Sequence, residues 1–155
     1  MNNRKHNGFT IIELMVTLAV AAIVATLAAP NMADFYQRNR LNSYTFDYVG
    51  AIAFARSEAV TRGESVTFRS VATNSWAEGW QVVLTSEEVI RQGESFPTTA
   101  YSLTLEDSDD NALYSFSISA RGQRTGTGNL SLEIDDGKNH TKSYAIPIYG
   151  SPISQ

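Results

Sequence analysis

The sequence predicts an α+β protein in which one long N-terminal helix, its first half membrane-spanning, packs its second half on an antiparallel β-sheet head. Three observations predict it. Between Phe9 and Ala29 the chain carries a single charge, Glu13, and neither Gly nor Pro. From Leu41 to Ala59, apolar side chains recur at steps of three and four. Beyond Gly63 the pattern changes to short runs rich in Val, Ile, Phe, Tyr and Thr, parted by turn residues.

The apolar run of 21 residues rises about 32 Å as a helix, roughly the hydrocarbon thickness of a bilayer. A run of that length reads as a membrane span. An ionised carboxylate deep in a bilayer costs at least about 2.5–3.5 kcal/mol, so Glu13 needs a partner or a route to the interface. The residues alone leave room for snorkelling beside the helix start.

Pro30 follows the run and is expected to kink or interrupt the helix. Helical spacing then resumes: Leu41, Tyr44, Tyr48, Ile52, Ala55 and Ala59 build one apolar stripe, with Arg40, Asp47, Arg56 and Glu58 mostly elsewhere. Glu58 and Arg62 stand at i, i+4 and can pair. Gly50 weakens the helix locally, and Gly63 is placed to stop it. One helix over 9–62 is predicted, with Tyr44 and Tyr48 as packing residues.

Strands are predicted at 65–71, 80–85, 89–92, 101–105, 113–119, 130–134 and 144–149, where β-formers cluster and several runs alternate in polarity. Turn chemistry separates them at Asn74-Ser75, Gln92-Gly93, 107–111, Arg121-Gly122, 126–128 and Asp136-Gly137. Asp136-Gly137 between two strands predicts a hairpin. Pro147 predicts that the last strand is an edge or carries a bulge. Such a head is one antiparallel sheet, or two packed sheets, on the amphipathic half of the helix.

A chain of 155 residues fits one modest domain plus an anchor. Its net charge of −4 gives no general affinity for nucleic acid. With no cysteine, disulfides, thiol nucleophiles and Cys-ligated zinc are excluded. A conventional secretory signal would be cut near Ala28-Ala29 and would discard the apolar run. The run is longer than a usual signal core, however, and holds Glu13. Basic residues ahead of the span, Arg4 and Lys5, favour a cytoplasmic N-terminus, and Arg38 and Arg40 beyond it weaken that asymmetry.

The order Arg4-Lys5, Gly8, Phe9, Thr10, Glu13-Leu14 and then the apolar run resembles the class III signal of type IV pilins and type II secretion pseudopilins. The resemblance covers about the first thirty residues, and Pro30 adds to it. It implies that a prepilin peptidase cleaves between Gly8 and Phe9 and N-methylates Phe9. It implies also that Glu13 pairs with the Phe9 amine of a neighbouring subunit during assembly. Opposite charges satisfy each other in a low-dielectric bundle where either alone is costly. Cleavage would remove Arg4 and Lys5, leaving 10 basic against 16 acidic residues, a net charge of −6.

Further along, the Ala-Arg-Ser-Glu-Ala core at 55–59, the Val66-Thr67-Phe68 run and the segment from Ser75 to Leu84 with Trp76 and Trp80 flanking Gly79 resemble the FimT/GspH group of minor pilins and pseudopilins. The two tryptophans are expected to pack in the core beneath a turn. The resemblance implies a pilin-like fold divided into a leader (1–8), a transmembrane and assembly helix (9–30), an amphipathic extension (31–63) and a β-rich head (64–155). It implies a structural subunit of a pilus or pseudopilus that primes assembly or sits at the tip. Its partners would be prepilin peptidase, other major and minor pilins or pseudopilins, and the inner membrane, with the head in the periplasm.

Candidates for chemistry are few. His6 lies in the leader, and His140 stands in a polar turn where a solvated loop residue is expected. Asp107, Asp109, Asp110 and Asn111 offer oxygen ligands but lack the glycine and closing glutamate of an EF-hand. The 126–128 stretch lacks the Lys-Ser/Thr end of a phosphate loop. No nucleophile, base and orienting group assemble, so no enzyme activity, metal or cofactor is expected.

The competing function is DNA capture, since some FimT-type pilins use a Gly-Arg-x-Arg element near the C-terminus. Here the tail reads Tyr149-Gly150-Ser151-Pro152-Ile153, without arginine. The substitute is Arg121-Gly122-Gln123-Arg124, to which Lys138, His140 and Lys142 would add charge if the turns converged.

Overall fold

A computed structural model describes residues 9–97, 100–138 and 140–155, the side chains of 27–31 excepted. The chain divides into two compact units, Met1–Gln37 and Arg38–Gln155. Helix α1 (Ile11–Arg62) has 52 residues. It continues through Pro30, so the expected interruption does not occur. Good helix formers on both sides, Leu27, Ala28 and Ala29 before it and Met32 and Ala33 after it, sustain the helix past one missing N–H.

Within the second unit the predicted stripe is the buried face of the helix. Leu41, Tyr48, Ile52, Ala55 and Ala59 are fully buried, joined by Ala51, and Tyr44 is half-buried against the same core. Glu58 accepts from Arg62 Nε at 2.6 Å, as the spacing predicts. Gly63 ends the helix at φ +68°, and its N–H donates to Ala59 O at 3.0 Å. That single bond into a left-handed residue is the αL cap, for which glycine carries no steric cost.

Eight strands follow: β1 (Val66–Ala72), β2 (Ser75–Leu84), β3 (Val89–Gln92), β4 (Ser102–Glu106), β5 (Ser115–Ile118), β6 (Leu130–Asp135), β7 (Thr141–Ile146) and β8 (Ile153–Ser154). They form two antiparallel sheets, ordered β3-β2-β1-β5 and β4-β6-β7-β8. The inner residues of both sheets join the helix stripe in one core, with Phe68, Trp76, Trp80 and Phe116 from the first sheet and Leu105, Leu132, Ile134 and Ile146 from the second.

Trp80 and Trp76 are the centre of this packing. Trp80 Nε1 donates to Asp47 Oδ2 at 2.9 Å, and Trp76 Nε1 donates to Leu113 O at 2.7 Å. The Tyr48 hydroxyl donates to Trp76 O, and Phe68 stacks on Trp76 with ring centroids 5.3 Å apart. Each indole N–H thus has a partner, as a buried tryptophan requires. A Cβ on Gly93 would stand 2.2 Å from the Trp80 indole, and one on Gly79 would stand 2.5 Å from Gly93 O. The two glycines therefore let the 93–94 backbone cross close over Trp80.

Three expectations are corrected. Both tryptophans lie in β2 itself, which begins at Ser75, so they do not sit beneath a turn. The non-alternating burial of β2 around Gly79 (φ +99°) hid its first half from a period-two reading. Pro147 lies beyond the end of β7, which is an interior strand because β8 pairs with it. With two residues, β8 is too short to leave a pattern. The Asp136-Gly137 hairpin between β6 and β7 stands as expected, with Asp135 opposite Thr141.

Candidate assembly site

Gly8 lies outside the described residues. Phe9 is the first described residue and is exposed, as is every described side chain from there to Thr26. Glu13 falls in the first turn of α1. Its Oε2 accepts from the Thr10 amide and from the Thr10 hydroxyl, each at 2.9 Å. In return, the Glu13 amide donates to Thr10 Oγ1 at 3.2 Å. This is a capping box: Thr10 at the N-cap and Glu13 three residues on satisfy each other's orphan donors. The signal, Thr-x-x-Glu ahead of an apolar run, stands in the sequence, and it gives Glu13 a role at the helix end besides that of a charge in lipid.

The arrangement fixes the carboxylate at the positive end of the helix dipole, on a segment whose apolar side chains lack cover within the chain. An apolar helix of this kind requires either lipid or neighbouring helices around it. Among the described residues no helix is long and apolar enough to cross a membrane. The expected span over 9–30 lies partly outside those residues, since described side chains break off after Thr26.

The four candidate DNA-binding residues do not form a patch. Arg124 is buried, 3% exposed, which corrects its assignment as a phosphate ligand. Its Nη1 donates to Thr125 O at 2.8 Å and its Nη2 to Gly128 O, so the guanidinium staples the 125–128 loop. Arg121 is exposed, and the neighbouring Gly122 lies against Val60 and Arg56 of α1. Lys138 and Lys142 are exposed but belong to the hairpin that meets α1 at Arg38. Residues 38 and 56 are 18 apart in one helix, about 27 Å along its axis. The two basic groups therefore stand near opposite ends of the helical part of the head.

His140 is not a solvated loop residue. Its Nδ1 lies 2.7 Å from Asp136 Oδ2, and its Nε2 accepts from Arg38 Nε at 3.0 Å. Asp136 is buried and also accepts from the amides of Lys138 at 2.8 Å and His140 at 3.2 Å. Burial pushes the Asp136 carboxyl up, but the His140 side chain and the two amides outweigh it and hold it below its ordinary range. Arg38, Leu41, Asn42, His140, Thr141 and Lys142 line a cleft of about 290 Å³.

The acidic loop is committed to itself. Asp107 Oδ1 accepts from the amides of Asp109 and Asn111, each at 2.9 Å. Those bonds, Asn111's first, hold the carboxyl below its ordinary range. Among the described residues no group of three or more His, Cys, Asp or Glu side chains is placed to hold a metal.

Residues 47–151, more than half of the chain, match the family model of the type II transport protein GspH. The chain belongs to the GspH family. Ahead of the family region, residues 3–29 match the prokaryotic N-terminal methylation motif. The GspH-family fold is shared with the type IV minor pilin FimU of Pseudomonas aeruginosa in two crystal forms. One matches with TM-score 0.64 at 18% identity, covering 78% of this chain and 92% of that one. The other matches with TM-score 0.58 at 18% identity, covering 74% and 91%. No curated protein sequence matches.

Proposed function

We propose that this GspH-family chain is a minor pilin or pseudopilin, a structural subunit that primes assembly or sits at the tip of a type IV pilus or type II secretion pseudopilus. The observation that carries this reading is the succession of two matches in one chain, a methylation motif at 3–29 and a GspH region at 47–151. Prepilin peptidase cleaves between Gly8 and Phe9 and methylates the Phe9 amine. Residues 9–30 anchor the subunit in the inner membrane, 31–63 extend the helix, and 64–155 form a periplasmic head that contacts other pilins or pseudopilins.

Glu13 is the assembly residue. Its capping bonds both use Oε2, which supports a carboxylate that serves its own helix end while receiving the Phe9 amine of a neighbour. A carboxylate accepts more than two such bonds, and the pair removes two otherwise expensive charges from an apolar bundle. The test is Glu13→Val, compared with the unchanged chain by recovery in sheared filaments. Loss from the filaments with the head still folded is the expected outcome. Incorporation at the unchanged level would remove Glu13 from the mechanism.

A further inference from the structure

Where the β6–β7 hairpin meets α1, two cations open onto one cleft. Arg38, Leu41 and Asn42 of α1 and His140, Thr141 and Lys142 of the hairpin side line about 290 Å³, and no carboxylate is among them. Arg38 and Lys142 are exposed, and neither belongs to an ion pair among the described residues. Arg38 and Asn42 stand at i, i+4 and so share one face of α1. Leu41, which is buried, backs the cleft with apolar surface.

The two acids nearby are engaged elsewhere. Asp135 accepts from the Thr141 hydroxyl at 2.6 Å. Asp136 is buried, with its Oδ2 2.7 Å from His140 Nδ1. Because His140 Nε2 accepts from Arg38 Nε at 3.0 Å, the imidazole proton sits on Nδ1 and is donated to Asp136. The succession Asp136, His140, Arg38 thus holds the guanidinium by its Nε and leaves its other N–H donors for a ligand. Guanidinium, ammonium and the Asn42 amide come to the cleft from two elements. A flat carboxylate is matched by one guanidinium fork alone, whereas a tetrahedral phosphate turns oxygens in several directions and takes a fork and a point charge together. The acidic balance of the chain, −4 overall, opposes a polyanion that must run on past the cleft and suits a single phosphate group. The tether points to its source. Eight residues separate Arg38 from Pro30, the end of the anchor proposed above, which is about 12 Å of helix and at most about 29 Å of extended chain. The headgroup layer adds about 5–7 Å beyond the hydrocarbon, and long Arg and Lys side chains carry their charge toward it.

We infer that Arg38 and Lys142, with Asn42, hold the phosphate of an anionic lipid headgroup in this cleft. The lipid fastens the hairpin end of the head to the bilayer before the subunit enters a filament. His140 is a positioning residue, since it fixes the Arg38 guanidinium at the edge of the cleft. This inference rests on the anchoring of 9–30 proposed above.

The test is magnetic resonance of the full chain carrying His6→Ala, which leaves His140 as its one imidazole. The chain is placed in small phosphatidylcholine bicelles with and without phosphatidylglycerol, at about pH 8, where imidazole is neutral. Nuclear Overhauser contacts between the His140 ring protons and the glycerol headgroup are expected. They should be lost in Lys142→Gln and kept in Arg121→Gln, an exposed cation away from the cleft. No contact with phosphatidylglycerol, or the same contact in Lys142→Gln, overturns the site. A second arm adds inorganic phosphate, or a short DNA duplex, to phosphatidylcholine bicelles at constant ionic strength. His140 resonances that move with either one, while phosphatidylglycerol gives no contact, assign the cleft to a soluble phosphate or to nucleic acid and overturn the lipid. A chain that does not enter the bicelles, seen by its size before any resonance is read, fails the anchoring itself and this inference with it.

Discussion

The two halves of α1 are one helix by hydrogen bonding and two different objects by surroundings. From Ile11 to Thr26 every side chain is exposed, Ile11 at 79% and Leu18 at 62%. From Leu41 to Ala59 one face is sealed, with Ile52 and Ala55 at 0%. Both halves are rich in apolar residues, so hydrophobicity alone does not separate them. Periodicity does. The second half places its apolar residues on one stripe and finds two sheets to cover it, whereas the first is apolar on all sides and its described side chains from Ile11 to Thr26 are exposed. The second half takes its stability from its own head, and the proposed anchoring and assembly would supply the cover of the first.

The sharpest break in that comparison comes from Trp80→Ala, which removes a fully buried indole and strands Asp47. A loss of about 3–5 kcal/mol is expected, read from urea unfolding of the full chain in detergent with near-ultraviolet circular dichroism as the signal. A loss below about 1 kcal/mol would mean that the second half of α1 is not held by this core.

Next in size is Asp136→Asn in the β6–β7 hairpin, expected to cost about 1–3 kcal/mol because the buried carboxylate accepts from three donors of its own turn. The folded carboxyl titrates below its unfolded value of about 3.9. Its contribution is therefore complete above that value and is lost as pH falls through the lower folded one. Stability curves of Asp136→Asn and the unchanged chain should differ at pH 6 and converge below about pH 4. Curves that stay parallel as pH falls below about 4 would show that the charge of Asp136 is not what holds the hairpin.

The smallest effect on the head is expected from Leu18→Ala. Leu18 has no cover within the chain, so head stability should stay within about 0.5 kcal/mol, while recovery in sheared filaments falls. A destabilised head would join the two halves energetically and end the contrast.

What could be read from the sequence was what neighbours in sequence determine. The stripe from Leu41 to Ala59, the Glu58–Arg62 pair and the cap at Gly63 all depend on residues within one or two helical turns. The capping box of Thr10 and Glu13 is equally local, three residues apart. What was hidden depends on contacts across the chain. His140 is held by Arg38, 102 residues away, and no spacing rule announces that bond. Arg124 reads as a surface cation until β5 and the 125–128 loop enclose it. The full reach of β2 was masked because Gly79 breaks the alternation that identifies a strand, and its reason, the approach of Gly93 over Trp80, lies in another segment.

The most direct test of the whole account is the N-terminal residue and intact mass of the protein extracted from cell membranes. The predicted result is a chain beginning at a methylated Phe9, with the apolar half of α1 retained, and a Gly8→Ala chain that keeps its Met1 leader. A mature chain that begins beyond Ala29, recovered without membrane, would contradict it.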